Sequence, residues 1–281
     1  APYAYFYNAG GAISASADGY EGDAVGVDVR SNYDQLSYNY GDISASATGT
    51  YVEATGFQGY SYTGDASLVN GGNIYATAEY QATGVWLGSF TYTNIWNTGY
   101  IGAAGAEYNY AIDTSYGGSA DYIYNQGTIT GAIITGAGND ELYNGEDGVW
   151  NATGTSRFGD GDDVIYNYGL IAMTDATIDM GYSDVYGDFF YNSGTLSVSG
   201  TNYINMGNGP LGPLVPSLNP NAFYNGGVID FQDGHTDDFL TITGDFTGDG
   251  DINVDVSGLH ETADQLYIDG SVVTGTVGTV N

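Results

Sequence analysis

The chain contains no cysteine and no lysine, and it has very few positive charges of any kind. Its 281 residues include 2 Lys plus Arg, which are Arg30 and Arg157, against 34 Asp plus Glu, so the formal net charge is −32. Nucleic acids and anionic membranes both select basic protein surfaces. We therefore expect neither a nucleic-acid partner nor direct insertion into a membrane.

Other absences narrow the class of protein further. No apolar run reaches the roughly 18 residues that a membrane-spanning helix needs. The first residues, Ala1-Pro2-Tyr3, show neither the basic nor the apolar region of a signal peptide, so we expect that such a peptide is absent or has been removed. Cysteine content of 0 leaves the redox compartment open.

The sequence does contain an internal repeat, Asn-x-Gly-x-Ile/Leu. Its spacing averages about 27 residues, the size of one supersecondary unit in a solenoid. The anchor asparagines, with looser matches at the first and sixth, are Asn8, Asn39, Asn70, Asn97, Asn125, Asn144, Asn167, Asn192 and Asn225.

Each repeat is predicted to contain short β-strands. After the anchors, apolar and polar residues alternate, as in Ile13-Ser-Ala-Ser-Ala17 and Ile43-Ser-Ala-Ser-Ala47, and this period of two indicates strands with one buried face. Two further strand-like stretches follow in each period. The pattern predicts an all-β parallel β-helix (β-solenoid) with about three strands per coil and roughly 9–11 coils.

Four of the 5 prolines fall within Gly209 to Phe223. Because proline cannot donate to a sheet ladder, this stretch is predicted to be a loop inserted into a coil. We predict β-helix coils over 1–223, including the inserted loop 209–223, and a second group of coils over 224–281.

An aromatic residue precedes most anchors. Stacked coils would align these side chains, and the alignment either stabilises the rungs or, if the rings face outward, forms a stripe that could bind sugar rings or another copy. The residues are Tyr7, Tyr38, Trp96, Tyr124, Tyr143, Tyr166, Tyr191 and Tyr224.

Aspartate recurs four residues before four successive anchors, in the phrase D-x-[ILF]-Y-N. Stacked carboxylates repel one another unless they are neutralised, and calcium prefers oxygen-rich turns. The alternative is that each Asp accepts hydrogen bonds from turn N–H groups without a metal. The candidate calcium ligands are Asp121, Asp140, Asp160, Asp162, Asp163 and Asp188.

The residues around these aspartates read G-x-G-x-D-x-U, as in Gly136–Leu142 and Gly159–Ile165. This pattern resembles the glycine-rich calcium repeats of RTX proteins. The resemblance implies that calcium would bind between successive coils.

The segment Tyr224 to Asn281 carries a second resemblance. Its pieces DFLTITGDF, GDGDI and ADQLYIDG are similar to the end of pertactin-like autotransporter passengers. Membership of that family implies a right-handed three-sheet β-helix that is secreted or displayed on a bacterial cell surface.

These patterns favour an extracellular structural or adhesive β-solenoid that associates end to end, with cations screening its charge. A monomeric adhesin passenger that binds glycans or cell surfaces is the first alternative. The second is a calcium-dependent enzyme acting on polysaccharides, in which Arg157 lies near the Asp160–Asp163 cluster. We expect no enzyme, because His235 and His260 are isolated and the sequence contains no Gly-x-Ser-x-Gly.

Overall fold

The computed structural model describes residues 3–182, 186–207, 221–272 and 278–281. The chain forms two compact units, Ala1–Gly138 and Asn139–Asn281. Throughout the described ranges the regular elements are β-strands, without any helix. The expected boundary at 223/224 lies inside the second unit, and most of the proline-rich loop falls outside the described residues.

The first unit consists of short strands joined by tight turns. In chain order they are β1 (Ala4–Asn8), β2 (Ala12–Asp18), β3 (Gly22–Ser31), β4 (Gln35–Asn39), β5 (Asp42–Thr48), β6 (Val52–Ser61), β7 (Ala66–Asn70), β8 (Asn73–Thr77), β9 (Gln81–Ser89), β10 (Tyr92–Asn97), β11 (Tyr100–Ala104), β12 (Tyr108–Asp113), β13 (Ala120–Asn125), β14 (Thr128–Thr130) and β15 (Ala132–Ile134).

Each strand of this unit pairs in parallel with the strand three positions further along the chain. The first strands of the coils run in the order β1-β4-β7-β10-β13, and the second and third strands stack likewise, as in β2–β5–β8 and β3–β6–β9. The register places each anchor asparagine opposite the next, for example Asn39 opposite Asn70. The prediction of three strands per coil is confirmed in this unit.

The second unit repeats the arrangement of three strands per coil, except that two of its strands, β17 and β19, are long. Its described strands are β16 (Glu141–Asn144), β17 (Val149–Arg157), β18 (Val164–Asn167), β19 (Leu170–Asp179), β20 (Phe189–Asn192), β21 (Thr195–Ser199), β22 (Thr201–Asn205), β23 (Ala222–Asn225), β24 (Val228–Asp230), β25 (Phe239–Thr243), β26 (Asp245–Gly248), β27 (Asp251–Asn253), β28 (Val256–Ser257), β29 (Thr262–Ala263), β30 (Gln265–Asp269) and β31 (Thr279–Val280).

The long strands β17 and β19 each fuse the second and third strands of a coil. They pair in parallel with a register shift at Thr153/Gly154, and β19 then pairs with both β21 and β22. The antiparallel hairpin β28–β29 is a further departure from the repeat. First strands still stack in the order β16-β18-β20-β23-β26. Each unit is therefore a parallel β-solenoid, as the repeat predicts.

The core of each unit is a set of aligned apolar columns. In the first unit Ile43, Ile74 and Ile101 lie opposite one another on successive second strands and are at most 1% exposed. In the second unit Ile171 and Leu196 occupy the equivalent column, both at 0% exposed. Stacking buries the inner face that a single coil would leave in water, and this burial is the main stabilising term.

Glycine follows the anchors because the coils approach closely there. A Cβ atom on Gly72 would lie 2.1 Å from the carbonyl oxygen of Gly41, and one on Gly99 would lie 2.0 Å from that of Gly72. A side chain at these positions would push successive coils apart. The Gly of Asn-x-Gly is thus explained by the stacking itself.

Candidate functional site

Each unit has a column of buried anchor asparagines, which we call the asparagine ladder. The side-chain Nδ2 of one anchor donates to Oδ1 of the next: 2.8 Å from Asn39 to Asn70 and 2.8 Å from Asn70 to Asn97 in the first unit. In the second unit the distance from Asn167 to Asn192 is 2.8 Å. These side chains are 0% exposed, so the ladder satisfies amides that would otherwise be costly to bury.

The predicted aspartate column exists in the second unit, where we call Asp140, Asp163 and Asp188 the carboxylate ladder. The backbone N–H of Asp140 donates to Oδ1 of Asp163 at 2.9 Å, and that of Asp163 donates to Oδ1 of Asp188 at 2.9 Å. One carboxyl oxygen per coil therefore joins that coil to the one before it. This is the hydrogen-bonding role that the sequence left open beside calcium.

The second carboxyl oxygen of Asp163 and of Asp188 has a different environment. Both residues are at most 1% exposed, and among the described residues neither Oδ2 atom has a hydrogen-bond partner. An ionised carboxylate with a bare buried oxygen is strongly disfavoured. The geometry therefore requires that the charge be neutralised.

Protonation supplies one way to neutralise it. Burial raises the pKa of Asp163 to about 8; the hydrogen bond from Asp140 N–H opposes this shift, and the neighbouring carboxylates Asp140, Asp188 and Asp162 add to it. Burial likewise raises the pKa of Asp188 to about 7. At neutral pH Asp163 and Asp188 thus hold protons that exposed carboxyl groups would have lost.

An asparagine continues the ladder. The N–H of Asp188 donates to Oδ1 of Asn221 at 2.9 Å, so Asn221 takes the place that Asp163 and Asp188 take in earlier coils. Asparagine has nearly the same shape as aspartate and, like a protonated aspartate, carries no charge. Its presence shows that the position accepts a neutral side chain.

Of the other predicted ligands, Asp121 belongs to the first unit, and Asp160 and Asp162 are not among the buried residues of the carboxylate ladder. Asp121 occupies the equivalent strand position in the first unit and accepts a bond from Ser119 Oγ at 3.1 Å. Asp162 is half-buried, and its Oδ1 accepts the N–H groups of Tyr186 and Gly187 at 3.0 and 3.1 Å. Asp160 is exposed. Only three of the six candidates form the buried ladder.

A second ladder of the same type was not predicted from the sequence. The N–H of Gly200 donates to Oδ1 of Asp238 at 2.6 Å, and that of Asp238 donates to Oδ1 of Asp264 at 3.2 Å. Asp238 is 3% exposed, and burial raises its pKa. The signal was present, because Asp238 precedes the buried Leu240 by two residues, as Asp140 precedes Leu142, and Asp264 precedes Leu266 at the same offset.

The aromatic column points outward. Tyr7 is 55% and Trp96 43% exposed, and the rings of Tyr191 and Tyr224 stack with centroids 5.0 Å apart and an interplanar angle of 6°. Val69 interrupts the column between Tyr38 and Trp96. The rings support one another and remain available to a partner.

Calcium binding at these aspartates remains a prediction from the sequence. Over the described ranges, no group of three or more His, Cys, Asp or Glu side chains is arranged to hold a metal ion. The carboxylate ladder presents one Asp per coil and uses one of its oxygens for the backbone. The same ranges contain no helix that is long and apolar enough to cross a membrane.

Together these features define the class of protein: a parallel β-solenoid whose coils are joined by buried asparagine and carboxylate ladders. Comparison with known proteins adds nothing to this class, since no family model, no curated protein and no solved structure matches the chain.

Proposed function

We propose that the chain is a structural, adhesive β-solenoid that works outside the cell. The observation that carries this proposal is the asparagine ladder, which recurs in coil after coil of each unit with spacings of 2.7 to 2.9 Å. The buried polar groups of the repeat join coils to one another. A scaffold is the function that such an arrangement serves directly.

The outward aromatic residues support the adhesive part of the proposal. Core burial does not require Tyr5, Tyr7 or Trp96, which are 66%, 55% and 43% exposed. Aromatic residues concentrated on a surface are typical of contact with a partner. The extracellular location rests on the resemblance to autotransporter passengers.

Self-association is the specific activity that we propose for this scaffold, with a second copy of the chain as the partner. In the first described coil Ile13, Ala15 and Ala17 are only half-buried, whereas Ile43, Ala45 and Ala47 in the next coil are at most 2% exposed. A β-strand with one unpaired edge and a partly exposed apolar side adds further strands readily. Charge repulsion opposes this association, so cations promote it.

Two matched variants test the proposal. Ala15→Glu places a charge among the half-buried residues of β2, while Ser16→Glu places the same charge on its exposed side. Electron microscopy and sedimentation with and without calcium should show assemblies for the natural chain and for Ser16→Glu, and their loss for Ala15→Glu. Monodisperse particles of the natural chain under all of these conditions would refute self-association.

A further inference from the structure

An aromatic cleft in the first unit is separate from both ladders. It has a volume of about 180 Å³ and is lined by Arg30, Gln58, Tyr60, Tyr62, Trp86 and Tyr116. The parallel register creates it, because Arg30 lies opposite Tyr60 and Gln58 lies opposite Trp86 on neighbouring third strands. The cleft is therefore made by four successive coils together, since Tyr116 follows the third strand of the next coil.

The rings of the cleft pack around Tyr60. The ring of Tyr62 lies edge-on to it with centroids 4.5 Å apart, and that of Tyr116 lies edge-on at 5.0 Å. Trp86 is nearly parallel to Tyr60, with an interplanar angle of 27° and a centroid distance of 6.1 Å. Tyr62 and Tyr116 are 49% and 47% exposed, so these two rings form walls that a ligand can reach.

A glycine makes room for one of these walls. Gly88 lies opposite Tyr60 on β9, and a Cβ atom there would come within 3.1 Å of Tyr116 Cβ. Tyr116 follows β12 in the turn before β13, so it is not held in a strand. Its ring also packs against those of Trp86 and Phe90, with centroid distances of 5.8 and 5.9 Å, so neighbouring rings support this wall.

The hydroxyl group of Tyr60 is the second observation that points to a ligand. Tyr60 is 5% exposed, and its buried hydroxyl oxygen has no partner at full hydrogen-bond geometry among the described residues. Burial and the neighbouring hydroxyl group of Tyr116 raise the pKa of Tyr60 to about 12. A buried hydroxyl without a partner is destabilising, and it is the kind of group that a bound ligand satisfies. Hydroxyl groups of a ligand could both donate to it and accept from it.

The polar rim of the cleft is electrically balanced. Arg30 Nε donates to Asp28 Oδ1 at 3.0 Å, and this pair leaves no net charge beside the cleft. Gln58 adds an amide that can donate and accept. With a net charge of −32, the chain repels polyanions, so neither acidic polysaccharide nor nucleic acid suits this surface.

We propose that the cleft binds a neutral pyranose unit of a polysaccharide, with the C–H face of the sugar against the aromatic rings and its hydroxyl groups on Tyr60, Gln58 and the Arg30–Asp28 pair. Concave sites with aromatic walls and a few convergent polar groups suit such amphipathic ligands. The inference rests on the proposed adhesive function and specifies the class of ligand, a neutral sugar, that the protein would bind.

Affinity electrophoresis of the full chain in gels containing dextran, galactomannan or laminarin tests this directly, with alginate as the acidic comparison. Retardation by at least one neutral polysaccharide is expected. Trp86→Ala should weaken it about tenfold, the equivalent of one good contact, and Tyr60→Phe should weaken it without lowering the melting temperature. Tyr20→Ala is the matched control, since Tyr20 is 66% exposed in the same unit but belongs neither to the aromatic column nor to the lining of the cleft; it should bind normally.

Three outcomes would overturn the inference: no retardation by any neutral polysaccharide, retardation by alginate alone, or an equal loss in Tyr20→Ala. If Trp86→Ala fails to fold, Tyr62→Ala at an exposed wall gives the same test. Concentration-dependent sedimentation that Trp86→Ala abolishes in the absence of sugar would assign the cleft to a second copy instead. Failure of sugar binding with intact assemblies would leave the structural proposal standing.

Discussion

The two units carry different chemistry at one equivalent position, four residues before each anchor asparagine. In the first unit the position is mostly neutral, and successive coils hold Ala4, Gln35, Ala66, Thr93 and Asp121. In the second unit it is acidic for three coils and then amide, with Asp140, Asp163, Asp188 and Asn221. The stacking of the first strands is the same in both units.

The comparison separates what the fold requires from what it tolerates. Ala66 fills the position at 0% exposed with no polar atom in its side chain, so a parallel coil does not need a carboxyl group there. Asp163 fills it at 0% exposed as well, but it accepts the N–H of Asp140 and must be neutralised. In the second unit, stability therefore depends strongly on the protonation of this column.

The largest expected effect concerns the asparagine ladder, which the units share. Asn97→Ala and Asn167→Ala each remove buried bonds to both neighbouring anchors and leave those anchors with unsatisfied groups. Each should lower the free energy of unfolding by about 3 kcal/mol. Urea denaturation, monitored by hydrogen exchange in each unit, measures this loss. An effect confined to one unit would show that the ladders are not equivalent.

A smaller effect should distinguish the units. Asp163→Ala removes the acceptor of the Asp140 N–H and should cost about 2 kcal/mol at pH 5, where the natural side chain is neutral. Thr93→Ala is its counterpart in the first unit. Thr93 Oγ1 is 3.4 Å from Ser119 Oγ, a long contact, so its loss should cost less than about 1 kcal/mol. Equal losses in the same denaturation assay would contradict the distinction.

Asp163→Asn should be milder still and should depend on pH. The amide keeps an acceptor for Asp140 N–H and needs no proton, as Asn221 does in its own coil. At pH 5 the melting temperature should change little, whereas at pH 9 the variant should melt above the natural chain. A variant that is less stable at both pH values would show that the carboxyl group has another role.

The smallest effect is expected from metal removal. If protons neutralise the carboxylate ladder, excess EDTA leaves the melting temperature of the second unit unchanged at pH 7. A clear decrease that calcium reverses would support the calcium site predicted from the glycine-rich repeats. The Asp163→Asn variant is the control, since it should lose any such response.

Much of the fold could be predicted from the sequence, because stacked coils require the same type of residue at the same position in each coil. The anchors at Asn39, Asn70 and Asn97 recur at coil spacing, since each must bond to its copy in the next coil. The aspartates of the carboxylate ladder recur for the same reason, and their offset from the anchors predicted one column. The fused strands β17 and β19 were not predicted. In each of them one residue of positive φ, Gly154 (68°) or Asp175 (47°), stands where a turn would have marked two strands.

The aromatic cleft was also beyond sequence reasoning. Tyr60 and Trp86 lie on third strands, which have no anchor motif to fix their register. Tyr116 reaches the cleft from a turn and lies over Gly88. The spacing of the sequence repeat does not predict this contact. Whether Tyr60 faces inward or outward depends on how the neighbouring rings pack against it.

Hydrogen exchange of the whole chain between pH 5 and pH 9, corrected for the intrinsic rate of exchange, tests the protonated carboxylate ladder most directly. Asp163 has a pKa of about 8 when folded against an ordinary 3.8, so between these values the folded state holds a proton that the unfolded state has lost. Its stabilising effect is complete below pH 3.8 and is lost as the pH rises through about 8.

Peptides of the second unit should therefore lose protection between pH 6 and pH 9, while those of strands β4 to β12 change little. The double variant Asp163→Asn/Asp188→Asn should remove this difference. Unchanged protection of the second unit up to pH 9, or an equal loss in the first unit, would contradict a ladder held by buried, protonated carboxyl groups.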